Sequence, residues 1–197
     1  MPKVSIIIAT RNAAKYLERA IRSCLNQNFG DYEVIVVDDG SGDNIKPIAR
    51  LFGNRINVIT LMRAASGCGL PSNAGIRASK SPFIVRVDAD DYISEHMLYI
   101  EYLYLTLNRD MDAVACDYNV IDENENVISR HNCEEEPIAC GIMFRKDRLI
   151  DVGLYDEALQ RDEEKELMSR FVKKHKVYRI PLPLYRYYKH EGSLSSR

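Results

Sequence analysis

Apolar residues fall into short runs along the first half of the chain, and polar residues follow each run. The runs predict strands at residues 4–9, 33–37, 58–61 and 83–87, and continuous apolar runs are typical of strands buried on both faces. Between them, apolar residues recur every three to four positions, which predicts amphipathic helices near 17–25 and 45–52. This alternation predicts an α/β domain with a mostly parallel central sheet, right-handed crossovers and helices on both faces.

The second half of the chain predicts a different order of elements. A helix is expected after Ser94, with Met97, Ile100, Tyr104 and Leu107 facing the core. Strands are expected at 113–121, 127–128 and 139–144, with a polar loop at 129–137 and helices at 147–151 and 162–174. The sequence contains no internal repeat, low-complexity segment or linker, so we expect one domain over residues 1–197.

Polar residues stand where three of the predicted parallel strands end. Thr10 follows the first strand, Asp38 and Asp39 follow the second, and Asp88 and Asp90 follow the fourth. In open α/β sheets, ligands bind outside the carboxyl ends of the strands. We therefore expect these side chains to meet at one edge of the sheet and to form the functional site.

Asp88 and Asp90 are the most informative pair among these residues. They are two positions apart, so an extended chain projects both carboxylates from the same side. Adjacent carboxylates repel each other unless a positive charge neutralises them, and a divalent cation carrying the phosphates of a nucleotide would supply that charge. An Asp-x-Asp motif also occurs in ordinary acidic turns, so its meaning depends on the neighbouring motifs.

Composition narrows the class of protein. The 197 residues are 46% hydrophobic with a formal net charge of -2, which gives no indication of a nucleic-acid partner. The five cysteines lack a C-x-x-C pair, which is typical of reduced thiols, and Cys24 falls on the apolar face of a predicted helix. The first strand leaves no room for a signal peptide and no apolar run is long enough to span a bilayer, so we expect a cytoplasmic protein.

Six segments together resemble one known family. They are residues 4–12, 33–41, 67–76, 88–91, 153–170 and 183–193. In this order they are similar to glycosyltransferase family 2, which has the GT-A fold with a Rossmann-like sheet, and the resemblance covers about 4–195. It implies an inverting transferase that uses a nucleotide-sugar and takes part in cell-surface polysaccharide or glycan synthesis. It implies no nucleic-acid partner. It also implies a nucleotide-sugar-binding half at 1–92 and an acceptor-binding half at 93–197.

The resemblance assigns roles to particular residues. Asp90, with Asp88 and His190, would hold Mn2+ or Mg2+, and the nucleotide would contact Thr10, Asp38, Asp39 and Asp88. Asp39 would accept a hydrogen bond from N3–H of the base, which suits uracil and therefore a UDP-sugar.

The acceptor side of the resemblance supplies a base. Glu164 would remove the proton from the hydroxyl of a carbohydrate or lipid-linked glycan, with Glu163 as the alternative if the register shifts by one residue. Two positions differ from the usual family pattern. The family commonly has Glu-Asp where this chain has Glu163 and Glu164, and it often has arginine where this chain has Ser72.

Three other functions remain open from the sequence. A sugar nucleotidyltransferase needs a glycine-rich loop after the first strand, and residues 9–14 contain no glycine. A dinucleotide-binding domain needs a G-x-G-x-x-G segment after a strand, which the chain lacks. A non-catalytic nucleotide-sugar-binding relative would keep the same motifs and lack the chemistry.

The last part of the sequence suggests one further partner. Basic residues alternate with tyrosines and leucines between 173 and 189. Such a mixture can bind an anionic lipid surface, so a peripheral contact at the inner face of the cell membrane is one hypothesis. Lysines on a solvated helix and tyrosines packed under the acceptor site would give the same pattern.

Overall fold

A nine-stranded sheet runs through both halves of the chain in the order β3-β2-β1-β4-β8-β6-β9-β5, with β7 paired to β6. The computed structural model describes residues 1–62 and 67–190. Its elements are β1 (Val4–Thr10), α1 (Ala14–Leu25), β2 (Tyr32–Asp38), α2 (Lys46–Phe52), β3 (Asn57–Thr60), α3 (Gly69–Ala78), β4 (Phe83–Asp88), β5 (Tyr92–Ile93), α4 (Met97–Leu107), β6 (Ala113–Ile121), β7 (Val127–His131), β8 (Ile142–Arg145), α5 (Lys146–Asp151), α6 (Glu163–Lys174) and β9 (Val177–Tyr188).

The first half of the sheet is parallel, as the sequence predicts. β1 lies between β2 and β4 and is parallel to both, and β3 is parallel to β2. β8 then joins β4 and β6 through antiparallel pairs, while β9 is parallel to β6. The predicted α/β domain is confirmed, and the carboxyl ends of β1, β2 and β4 lie at the same edge.

The core lies on both faces of the sheet because the three consecutive isoleucines of β1 alternate between the faces and are all buried. Ile6 and Ile8 pack into the cluster on the side of α1, whereas Ile7 belongs to the cluster on the opposite face. Helix α1 buries Cys24 on its apolar face, as predicted. On the other face, a Cβ atom at Gly75 of α3 would lie 2.5 Å from Cγ2 of Ile7, so the close packing of this helix requires glycine there.

Three predictions for the second half are wrong in detail. Strand β7 continues to His131 because it pairs along β6, so the loop is shorter than expected. Strand β8 begins at Ile142, three residues late. Helix α4 turns Leu107, which is 72% exposed, away from the core and buries Leu98 instead. The apolar residues of α4 are distributed around the whole helix, so their spacing does not define which face is buried.

Strand β9 was not predicted. It contains Pro181 and Pro183, which weaken any strand assignment from sequence, and its pairing with β6 shifts register in this region. Pairing with both β6 and β5 nevertheless supports it along its length. The strand returns the chain to the edge where β1, β2 and β4 end, and so it brings His190 there.

The burial of β9 bears on the expected membrane contact. Leu184, Tyr185 and Tyr188 are buried, and Arg179 donates two hydrogen bonds of 2.8 Å to the carboxylate of Asp117. These side chains therefore do not form the mixed basic and aromatic surface that the sequence suggests. Among the described residues, no helix has the length and apolar character needed to cross a membrane.

Candidate functional site

The carboxyl ends of β1, β2 and β4 open into a cavity of about 1080 Å³. The predicted site residues that line it are Thr10, Asp39, Asp88, Asp90, Glu163, Glu164 and His190. The topology of the sheet thus brings together residues that are up to 180 positions apart in sequence. Asp38 is the exception, because its carboxylate points into the neighbouring turn.

Two loops form the wall of the cavity beside β1 and β2. Oδ1 of Asp38 accepts a hydrogen bond of 3.0 Å from the N–H of Ser41 and so shapes the turn after β2. The N–H of Asn12 donates to Oγ of Ser41 at 3.1 Å, and Oδ1 of Asn12 accepts from the N–H of Gly42 at 2.7 Å. Asn12 has a left-handed conformation with φ of 53°. These bonds fix the two loops against each other.

Asp39 and Thr10 lie at the base of this wall. The N–H of Asp39 donates to the carbonyl of Thr10 at 2.9 Å, and its buried carboxylate lies 3.9 Å from the guanidinium of Arg11. Within the described residues, the buried Oγ1 of Thr10 has no hydrogen-bond partner. A buried hydroxyl at a cavity wall can bind a polar ligand group that enters the cavity.

The turn after β4 is fixed by β9. Asp91, only 2% exposed, accepts hydrogen bonds from the hydroxyl of Tyr185 at 2.7 Å and from the N–H of Tyr188 at 2.8 Å. Burial, and then the charges of Asp88 and Asp90, raise the pKa of Asp91 well above its usual value. The third aspartate therefore has a structural role that the sequence reasoning missed.

Asp90 and His190 meet across the same turn. Nε2 of His190 lies 2.9 Å from Oδ2 of Asp90, and the imidazole packs against the rings of Tyr16 and Tyr188. Burial and the charge of Asp88 raise the pKa of Asp90, while its hydrogen bond with His190 opposes the shift. In residues 1–62 and 67–190, no group of three or more His, Cys, Asp or Glu side chains is arranged to hold a metal ion. The remainder of the resembling segment, from 191 onward, lies outside the described residues.

Arg86 is a site residue that the sequence reasoning missed. Its guanidinium, 4% exposed, donates from Nη2 to Oδ1 of Asp88 at 2.8 Å and from Nη1 to Oε1 of Glu164 at 3.2 Å. Burial raises the pKa of Glu164, and the charge of Arg86 opposes that shift. The signal in the sequence is the alternation of β4, which places Arg86 on the same face as Asp88.

Glu163 has a different environment from Glu164. Its side chain is 4% exposed, and Oε1 accepts a hydrogen bond of 2.7 Å from the N–H of Cys68, just before α3. The chain is tightly packed here, since a Cβ atom at Gly67 would lie 2.5 Å from the carbonyl oxygen of Leu159. Glu163 thus holds the start of α3, and Glu164 is the glutamate that contacts Arg86.

Ser72, where relatives often have arginine, is fully buried in α3. Its hydroxyl has no hydrogen-bond partner among the residues that the structure describes. Nearby, Cys68, just before α3, and Pro71, within the helix, line the cavity.

Comparison with known proteins agrees with this fold. Residues 5–173 match the family model for glycosyl transferase family 2. An uncharacterized glycosyltransferase of Rickettsia prowazekii is 30% identical over 196 residues, which cover 90% of this chain and 61% of the relative. The chain therefore spans about three fifths of the length of this relative.

Solved structures show the same fold. TarS of S. aureus in complex with UDP-GlcNAc has a TM-score of 0.84 at 23% identity, covering 99% of this chain and 61% of that chain. The mannosyltransferase PcManGT from Pyrobaculum calidifontis, in complex with GDP-Man and Mn2+, has a TM-score of 0.76 at 16% identity, covering 98% and 58%. Both likenesses identify the GT-A fold. Because the family model extends over most of the chain and the fold agrees with it, this chain belongs to glycosyltransferase family 2.

Proposed function

We propose that the chain transfers a sugar from a nucleoside diphosphate donor, favouring a UDP-sugar, to a hydroxyl of a carbohydrate or lipid-linked glycan. The observation that carries this proposal is the bridge made by Arg86. Its two terminal nitrogens contact Glu164 and Asp88, so the candidate base and the acidic turn line one cavity at a fixed separation. Residues 1–92 would bind the donor, and residues 93–197 would bind the acceptor.

Glu164 is the proposed general base. Its carboxylate would take the proton from the acceptor hydroxyl while that oxygen forms a bond to the anomeric carbon. The bond from the anomeric carbon to the diphosphate oxygen breaks, and its electron pair leaves with the nucleoside diphosphate. Attack from the face opposite the leaving group inverts the anomeric configuration. The raised pKa of Glu164 suits this role, because a more basic carboxylate accepts the proton more readily.

Asp90 is the proposed principal ligand of Mn2+ or Mg2+, with His190 and Asp88 beside it. The cation, when bound, would neutralise the charge that develops on the leaving diphosphate. Asp90 fits a positive partner because burial and the charge of Asp88 disfavour its ionised form. Oδ1 of Asp88 already contacts Arg86, which favours Asp90 over Asp88. The Mn2+ in the PcManGT complex supports the use of a divalent cation.

Asp39 and Thr10 are the proposed contacts of the base and ribose. The complex of TarS with UDP-GlcNAc supports a uridine donor, whereas the complex of PcManGT contains GDP-Man. A carboxylate placed for N3–H of uracil would not be placed for N1–H of guanine, because the pairing edge of a purine lies farther from the ribose, and loss of this hydrogen bond costs on the order of 1–3 kcal/mol. UDP should therefore stabilise the protein more than GDP at equal concentration in a thermal-shift assay. Equal or greater stabilisation by GDP would overturn the uridine assignment.

The test of the proposed function is donor hydrolysis by the purified protein with Mn2+. UDP-Glc, UDP-GlcNAc and GDP-Man serve as donors, and release of the nucleoside diphosphate is measured together with proton NMR of the first sugar released. We expect release from a uridine donor, with the β-anomer formed first from an α-linked donor. First release of the α-anomer would contradict inversion. Tight UDP binding without release from any donor would instead identify a non-catalytic relative.

The biological setting that we propose is cell-surface polysaccharide or glycan synthesis. A lipid-linked acceptor would place the reaction in the cytoplasm at the inner face of the cell membrane. The burial of Tyr185 and Tyr188 means that any membrane contact would have to use other side chains.

A further inference from the structure

Arg86 occupies an unusual position for a charged residue. It lies in the middle of β4, between the buried residues Val85 and Val87, and its own side chain is 4% exposed. Because side chains alternate along a strand, Val85 and Val87 point to one face of the sheet. Arg86 points to the other face, together with Ile84 and Asp88. A buried guanidinium is costly unless it is paired with negative groups. The identity of its partners therefore indicates why the charge is there.

The two partners are acidic residues of the cavity with different proposed roles. Nη2 contacts Asp88 at 2.8 Å and Nη1 contacts Glu164 at 3.2 Å. The guanidinium also lies over the ring of Tyr155, with 5.5 Å to its centroid. By contrast, the buried Nε–H has no hydrogen-bond partner among the described residues. The position of the guanidinium is thus set by its contacts with the two carboxylates, since not every N–H of the group finds an acceptor.

We propose that Arg86 is a positioning residue that holds the carboxylate of Glu164 at the cavity. This inference rests on the proposed function, since it names the group that orients the base. A glutamate side chain has three rotatable bonds, and it is one methylene longer than the aspartate that relatives commonly have at this position. A fixed contact at Oε1 restricts that freedom, and the same guanidinium sets the distance between Glu164 and Asp88. Correct placement of a catalytic group matters strongly, because a displacement of about 1 Å can cost roughly 10²-fold in rate.

A purely structural role for Arg86 makes a different prediction. An ion pair that only stabilises the fold would change stability in every background, and any remaining effect on turnover would not depend on Glu164. A positioning residue acts through the group that it positions. The dependence of its effect on Glu164 therefore separates the two roles.

The experiment is a double-mutant cycle in the full chain. Arg86→Met and Arg86→Lys are made in the parent and in Glu164→Gln. The kcat and KM of donor hydrolysis are then measured in the presence of Mn2+, using whichever of UDP-Glc, UDP-GlcNAc and GDP-Man the parent hydrolyses fastest. We expect Arg86→Met to lower kcat roughly 10- to 100-fold while KM changes less than about threefold. Arg86→Lys should recover part of the loss. In the Glu164→Gln background, Arg86→Met should change kcat less than about twofold.

Arg145→Met provides the control for loss of a structural arginine. Its guanidinium donates to the carbonyl of Leu105 in α4 and to that of Met111 in the segment after the helix, and it does not line the proposed donor cavity. This variant should lower stability and leave kcat unchanged for the folded protein.

The outcomes separate this inference from the proposed function. Unchanged kcat in Arg86→Met, or an equal loss with and without Glu164, would overturn the positioning role while the proposed function stands. If Arg86→Met does not fold, the same comparison is made with Arg86→Lys, for which equal losses in both backgrounds would again overturn it. If the parent releases a nucleoside diphosphate from none of the donors, the proposed function fails and this inference fails with it.

Discussion

Glu163 and Glu164 are adjacent, yet the structure predicts opposite consequences for their substitution. The buried carboxylate of Glu163 accepts a hydrogen bond of 2.7 Å from the N–H of Cys68. Glu163→Ala would leave this N–H without its charged acceptor, and such bonds contribute about 1.5–3 kcal/mol. For a chain of this length, a loss of about 1.5–3 kcal/mol lowers Tm by about 3–12 °C. Glu163→Gln retains an oxygen acceptor and should cost only about 1 kcal/mol.

Urea and thermal unfolding followed by circular dichroism measure these changes, and donor hydrolysis is measured on the folded fraction. Glu18→Ala is the control, because Glu18 forms an exposed ion pair with Arg22, and loss of this pair should lower the free energy of unfolding by no more than about 0.5 kcal/mol. Glu163→Gln should keep near-normal turnover. A folded Glu163→Gln protein that loses turnover by more than about tenfold would show that the proposed base is off by one residue.

Three further predictions follow from other parts of the structure. Asp90→Ala should remove most of the gain in UDP affinity that Mn2+ provides, and calorimetry showing the same Mn2+-dependent affinity as the parent would contradict the ligand assignment. The guanidinium of Arg179 lowers the pKa of Asp117 to about 2, so Asp117 stabilises the fold above its unfolded pKa of about 4, and this contribution is lost as the pH falls through about 2. Acid unfolding of Asp117→Asn should therefore differ most from the parent above pH 4, and a difference that grows below that pH would refute the pairing. Co-sedimentation with phosphatidylglycerol vesicles tests membrane contact; because Leu184, Tyr185 and Tyr188 are buried, little binding is expected, and salt-sensitive binding would show an electrostatic attachment through other side chains.

The sequence predicts the first half of the fold closely because its strands are apolar runs with polar ends. The predicted strands at 4–9, 33–37 and 83–87 agree with β1, β2 and β4 to within one residue at each end. Strand β9 depends on its pairing with β6 and β5, which lie far away in sequence. Because the strand contains two prolines, its local sequence does not predict a strand.

The sequence predicts where in the fold the candidate site lies, but it does not predict which side chains contact one another there. Parallel strands must end together, which places Thr10, Asp39 and Asp88 at one edge. Sequence spacing does not show which charged residues become buried, so Arg86 and the structural role of Asp91 were missed. The choice between Glu163 and Glu164 depends on the rotation of α6 about its axis, since adjacent helical residues point about 100° apart.

The most direct test of the central proposal, that Glu164 is the general base of an inverting sugar transfer, is the turnover of Glu164→Gln under conditions that saturate the donor. This substitution keeps the volume of the side chain and removes its basicity. We predict a loss of roughly 10²–10⁴-fold in kcat, with the affinity for UDP in the presence of Mn2+ within about threefold of the parent. Near-normal kcat in the folded Glu164→Gln protein would contradict the proposal.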